Sequence, residues 1–156
     1  MTNVRNGMRL PPKEQLLHAC IAKQRTLISD FNRGIQQFHD NGAAEYGEDQ
    51  PGLAEEMMLR HKQLADQLMF AGEELKVLVD MLPRTEERYE EVRLGSLVAT
   101  DKGLFYISVS IERFEVDGMS FVGISPKSPL YGAMAGKKKG ESFTLGTEQY
   151  QILDTY

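Results

Sequence analysis

The 156 residues carry 18 Lys and Arg against 23 Asp and Glu, a net charge of −5, with 41% hydrophobic and 26% charged residues. That balance is ordinary for a folded chain of one domain or two small ones, and it argues against non-specific binding to nucleic acid or an anionic membrane surface, which needs clustered Lys and Arg. Cys20 is the only cysteine, which leaves neither an intramolecular disulfide nor a cysteine-rich zinc site. Met1 to Leu10 lacks an apolar signal core, and no apolar run approaches the roughly 18 residues of a membrane span. A cytoplasmic protein without membrane contact is the expectation.

Pro11-Pro12 stands where proline is tolerated, at the opening of a helix. From there Leu17, Ile21, Gln24, Ile28, Phe31, Ile35 and Phe38 recur at alternating spacings of four and three. This is a heptad seam broken by one polar member, Gln24. Gly34, beside the seam, costs up to about 1 kcal/mol of helix propensity and suggests that a neighbouring backbone comes close. Asn41-Gly42 is a turn signal, so the helix should stop near Asp40. A second helix can start at Pro51, with Asp49 or Gln50 as its cap. Its seam is Met57, His61, Leu64, Leu68, Ala71, Leu75, Leu78 and Leu82, and Pro83 ends it. Two matching seams joined by a short polar segment predict an antiparallel coiled-coil hairpin over residues 1–83, with its tip at 40–52.

Arg84 to Arg88 is a charged linker, after which composition turns to β-type runs: 92–98, 104–111 and 120–124. Asp101-Lys102-Gly103 and Asp117-Gly118 are the turn signals between them. Ser128 to Gly136 reads as a short helix, with Ser128 as N-cap, Pro129 at its first position and Gly136 as its terminator. Residues 141–145 and 149–153 close the chain as strands. Residues 84–156 therefore predict a compact antiparallel sheet with one short helix, and the whole chain is of α+β class.

Between Arg33 and Arg60 there is no Lys or Arg, while Asp40, Glu45, Glu48, Asp49, Glu55 and Glu56 are acidic. One reading is that these acids complement a helix N-terminus and keep a loop soluble. The other is that a rod presents carboxylates, with Tyr46 among them, to a partner's cavity. There they would hold a hard cation such as Mg2+, which accepts one or two carboxylates, as the second ion of a two-metal phosphodiester reaction. The histidines offer less. His61 falls on the seam as a packed residue, His18 on a helix surface, and His39 beside Asp40 makes no metal site alone. Cys20 reads as a small core-facing residue. Lys137-Lys138-Lys139 is either a solvated turn or a contact for an acidic partner surface, and is too short to mark a nucleic-acid-binding protein. No phosphate-cradling loop, G-x-S-x-G, H-E-x-x-H or EF-hand pattern is present.

Three segments of the second half carry a resemblance: Leu94-Gly95-Ser96-Leu97-Val98, Ile124 leading to Ser128-Pro129-Leu130, and Gly136-Lys137 followed by Gly140-Glu141. In order and spacing they resemble the G-S-x-V, I-S-x-x-S-P-hydrophobic and G-K-x-x-G-D signatures of the bacterial Gre transcript-cleavage factors. Ala44-Glu45-Tyr46 is similar to that family's tip. The resemblance implies an FKBP-like domain over 84–156 that docks at the secondary channel of RNA polymerase through Ser128, Pro129 and Leu130. The hairpin would enter the channel as a monomeric accessory factor with no enzymatic activity and no cofactor of its own. Asp40, Glu45, Glu48 and Asp49 are then the candidate assisting acids, with Asp40 and Glu45 on a Mg2+ shared with the polymerase. Nucleic acid is met only through the elongation complex. There is one departure. With Ala44-Glu45-Tyr46 aligned to the family tip, the two catalytic acid positions fall on His39 and Gly42. A channel binder that modulates or inhibits the polymerase without cleavage is therefore the alternative. Two further readings are a prolyl isomerase, for which no aromatic-lined proline pocket is evident, and a hairpin that dimerises through its seam.

Overall fold

The computed structural model describes residues 4–5, 8–37 and 51–156. The chain packs as two compact units, one formed by Met1–Ile21 with Val77–Tyr156 and the other by Ala22–Lys76. Helix α1 runs over Lys13–Gln37 and α2 over Pro51–Met81, and a 3-10 turn, Leu82–Arg84, follows α2. Pro12 opens α1 as expected: its carbonyl accepts from Gln15 N at 3.0 Å. Pro51 stands at the first position of α2 and Pro83 lies just past its end, as the fixed φ and missing N–H of proline dictate.

Within the unit Ala22–Lys76 the helices pair antiparallel, Gln24 meeting Ala71 and Gly34 facing Leu64. Every described member of the two predicted seams is buried or half-buried, while Asp30, Arg33, Glu55, Glu56 and Lys62 are exposed. Burial falls from full at Gln24 and Ala71 to partial at Ile28, Phe31, Ile35, Leu64 and Leu68. Two helices cover one stripe each and leave its margins to water.

The other unit is built on a six-stranded sheet. Its strands are β3 (Leu97–Thr100), β4 (Gly103–Ile107), β5 (Ile111–Val116), β6 (Met119–Ile124), β7 (Ser142–Leu145) and β8 (Glu148–Thr155), in the order β5-β6-β4-β3-β8-β7. A two-stranded ribbon, β1 (Val4–Arg5) with β2 (Met8–Arg9), precedes α1. Helix α3, Pro129–Met134, lies between β6 and β7 in the chain. All sheet pairings are antiparallel except β4 with β6, where Phe105 faces Val122 in parallel. One face carries the core of Val98, Phe105, Ile107, Ile124, Phe143 and Ile152, covered by Met134 and, in part, Leu130 and Ala133 of α3. Leu97, Ala99 and Tyr106, of the opposite parity, are buried too. That is why β3 and β4 read as unbroken apolar runs rather than alternations. Cys20 of α1 lies close to Tyr106, whose hydroxyl is pushed above its ordinary pKa by burial first and by Cys20 and Tyr89 after it.

Three local expectations are corrected. The run 92–98 becomes strand only at Leu97, because Arg93 to Ser96 is a turn closed by Ser96 N to Arg93 O at 2.9 Å. The run 104–111 ends as a strand at Ile107, and a new strand begins at Ile111. Among the described residues no backbone of another element lies within 4 Å of a Cβ added at Gly34, which would meet Leu64 Cδ1 at 3.9 Å. The glycine that does face a neighbouring backbone is Gly123, where a Cβ would stand 2.5 Å from the Val109 carbonyl and 3.0 Å from Ile111 Cβ.

Candidate functional site

The polar member of the first seam is also its most specific contact. Gln24, 2% exposed, donates from Nε2 to the Ala71 carbonyl at 3.0 Å and to Glu74 Oε1 at 3.3 Å. A buried amide has donors that must be met, and in this register the Ala71 carbonyl and the Glu74 carboxylate meet them. Gln24 thereby fixes the hairpin's register, the best-attested use of a polar seam residue. The carboxylates that register would position, Asp40, Glu45, Glu48 and Asp49, lie outside the described residues, as do His39, Gly42 and the segment Ala44 to Tyr46. Among the described residues no group of three or more His, Cys, Asp or Glu side chains could hold a metal ion. His61 is half-buried on the seam, and His18 is exposed beside Glu14 at 3.7 Å.

The second-half motifs resolve into backbone devices. Gly95 takes φ +93°, its N–H donates to the Ile107 carbonyl at 2.8 Å, and Ser96 Oγ accepts from Arg93 N at 3.0 Å. This Gly-Ser pair turns the chain into β3 in a conformation that disfavours a side chain at position 95. Ser125 and Ser128 work as a pair ahead of α3. Ser125 Oγ accepts from Lys127 N at 3.1 Å, its carbonyl accepts from Ser128 N at 3.0 Å, and Ser128 Oγ caps Tyr131 N at 3.2 Å. Gly136 N donates to the Val92 carbonyl at 3.0 Å and Val92 N to the Lys137 carbonyl at 2.9 Å. Glu141 Oε2 accepts from Lys138 N at 2.9 Å, and Gly140 takes φ +90°.

The candidate docking residues divide by this geometry. Pro129 is exposed, Ser128 is half-buried and engaged as the helix cap, and Leu130 is half-buried against the core. The three form one fixed knuckle, with Pro129 as its outward point. In the lysine run, Lys138 lies 3.9 Å from Glu91 and its backbone joins the Glu141 turn, so part of that run is structural.

Sequence reading does not anticipate the surroundings of Lys13. This lysine is 5% exposed and donates from Nζ to the Glu87 carbonyl at 2.8 Å. The same ammonium lies 4.7 Å from the centre of the Tyr89 ring and 5.5 Å from that of Tyr156. Arg93 sits 4.4 Å from the Tyr89 ring and Arg88 5.0 Å from Tyr156. Burial, and then the charge of Arg88, lower the Lys13 pKa to about 8. Nothing in the spacing of a first-turn lysine signals this, because Glu87 lies 74 positions away in the chain and Tyr156 lies farther still.

No protein-family model matches the chain, and no curated protein sequence matches it. Among solved structures it is similar to the GreA factor homolog 1 (Gfh1) protein of Thermus thermophilus, at 15% identity over 92% of this chain and 94% of that one, with a TM-score of 0.36. A second structure, of the transcription factor Gfh1, is similar at 17% identity over 93% of this chain and 94% of that one, with a TM-score of 0.32. Likeness this distant assigns neither a family nor an activity.

Proposed function

We propose that the chain is a Gre-like accessory factor of bacterial RNA polymerase, which binds at the secondary channel and stimulates cleavage of backtracked RNA by the polymerase itself. One conjunction carries the reading. Three Gre-type motif segments occupy the turns around a single sheet, in a chain whose other part is an antiparallel hairpin with an acid-rich tip sequence. At about 1.5 Å per residue, helices of the length of α1 and α2 extend roughly 40 Å. The knuckle at Pro129 is the proposed docking point. Asp40 and Glu45 are the proposed oxygen ligands of a Mg2+ ion that belongs to the complex and stabilises charge on the reacting phosphodiester. Glu48 and Asp49 are the remaining proposed assisting acids, and the factor by itself is not an enzyme.

The test is substitution of Asp40, Glu45, Glu48 and Asp49 together by Ala. That variant should still bind the polymerase but lose rescue of arrested complexes; undiminished stimulation would refute the tip mechanism. A second reading is favoured by a specific observation, the His39 and Gly42 that stand at the family's acid positions. In it the protein occupies the channel and modulates the polymerase without cleavage. Competition with a cleavage-active Gre factor, combined with failure to shorten backtracked RNA at any Mg2+ concentration, is its signature.

A further inference from the structure

In the unit that holds the sheet, a cavity of about 310 Å3 opens between the last turns of α2, the segment 84–89 and the turn before β3. Its size is at the lower end of small-molecule sites. Its walls are mostly apolar, from Val77, Met81, Leu94 and the rings of Tyr89 and Tyr106, but its charged lining is one-sided: Lys13, Arg84 and Arg93 against Asp80 alone. Among the described residues none of these three cations is in an ion pair. A chain of net charge −5 has thus gathered three cations at one cavity and buried one of them, Lys13, with the Glu87 carboxylate as its nearby counter-charge. Such groups repel one another in a partly desolvated site. The rings of Tyr89 and Tyr156 and the Glu87 carbonyl answer Lys13 in part, and an ammonium has three donors, of which one is spent on Glu87.

We propose that this cavity is a binding site for an organic phosphate monoester, its dianionic head held by Lys13, Arg84 and Arg93 and its apolar or aromatic body laid against Leu94, Met81 and Tyr106. The lining charge of three cations and one carboxylate matches a dianion better than a carboxylate monoanion, and arginine forks suit phosphate oxygens. The ligand would join the end of α2 to the turn at Gly95, where φ is +93° and an added Cβ would stand 3.2 Å from the Tyr89 ring. The site is independent of the proposed polymerase contact at Ser128 to Leu130.

Isothermal titration of the full chain with phenyl phosphate, inorganic phosphate and benzoate tests it. Phenyl phosphate should bind one site saturably below about 1 mM, at least about tenfold tighter than inorganic phosphate, which lacks the body, or benzoate, which lacks the second charge. Arg84→Gln changes an exposed residue and should weaken phenyl phosphate about tenfold, with Arg93→Gln as the second variant. The proposal is overturned if phenyl phosphate does not saturate by about 10 mM, if benzoate or inorganic phosphate binds as tightly, or if neither arginine variant weakens binding.

Discussion

Replacing Gln24 tests whether one amide sets the hairpin's register. The Gln24→Ala variant loses two hydrogen bonds, one to the Ala71 carbonyl and one to the Glu74 carboxylate. A neutral bond contributes about 1 kcal/mol and a charged one about 1.5 kcal/mol at the low end fitting a half-buried partner. One buried methylene adds at most about 0.8 kcal/mol, and alanine returns about 0.4 kcal/mol of helix propensity. These hydrogen-bond values already allow for exchange with water, so the net loss should be about 3 kcal/mol. The Gln24→Leu variant keeps the volume and removes the cost of burying an amide, so its stability should lie within about 1 kcal/mol of the parent while its register is no longer pinned. Native-state hydrogen exchange of the α1 amides around position 24 reads the local opening free energy directly. A loss below about 0.5 kcal/mol in Gln24→Ala would refute the structural role given to this residue.

The remaining predictions concern the sheet unit. Gly123→Ala forces a Cβ against the Val109 carbonyl and should destabilise by about 2 kcal/mol or more, seen as a lowered urea midpoint; an unchanged midpoint contradicts the close approach. Ser128→Ala should cost about 1 kcal/mol of stability through the lost cap on Tyr131 N, and Ser128→Asp should restore it. Restored stability without restored polymerase binding would separate capping from docking. Lys13 carries a folded pKa of about 8 against an ordinary 10.5, so the folded state binds fewer protons between those values. Stability from this group therefore rises as pH climbs through that window, by on the order of 1–3 kcal/mol. Lys13→Met should flatten that rise, and a pH profile identical to the parent's would refute the buried charge.

The hairpin seams were legible because their four-and-three spacing is a property of the helix itself, and the described seam positions are the covered ones. The spacing does not account for every apolar residue: Met58, Leu59, Met69 and Phe70 of α2 are exposed, outside the predicted stripe. Strand β5 was missed for a physical reason. A bulge between Ile111 and Phe114 sets its covered residues three apart instead of two, and Glu112, Arg113 and Glu115 face solvent on an edge strand. The Asp117-Gly118 turn that pairs β5 with β6 was legible, and both its residues have positive φ, 54° and 75°. Of the candidate site, the Ser128 cap could be read from Ser-Pro followed by an apolar residue. The division between exposed Pro129 and core-facing Leu130 could not, since it depends on where α3 lands on the sheet. The cation cluster at Lys13 was hidden for the same reason: its parts meet only once Tyr89, Arg93 and Tyr156 are folded around it.

The most direct measurement is a transcript-cleavage assay on a stalled, backtracked complex of bacterial RNA polymerase, with and without the protein, at fixed Mg2+. The account predicts that adding the protein shortens the RNA from its 3′ end and returns the complex to elongation. Unshortened RNA at saturating protein, with binding to the polymerase shown in the same sample, would contradict it.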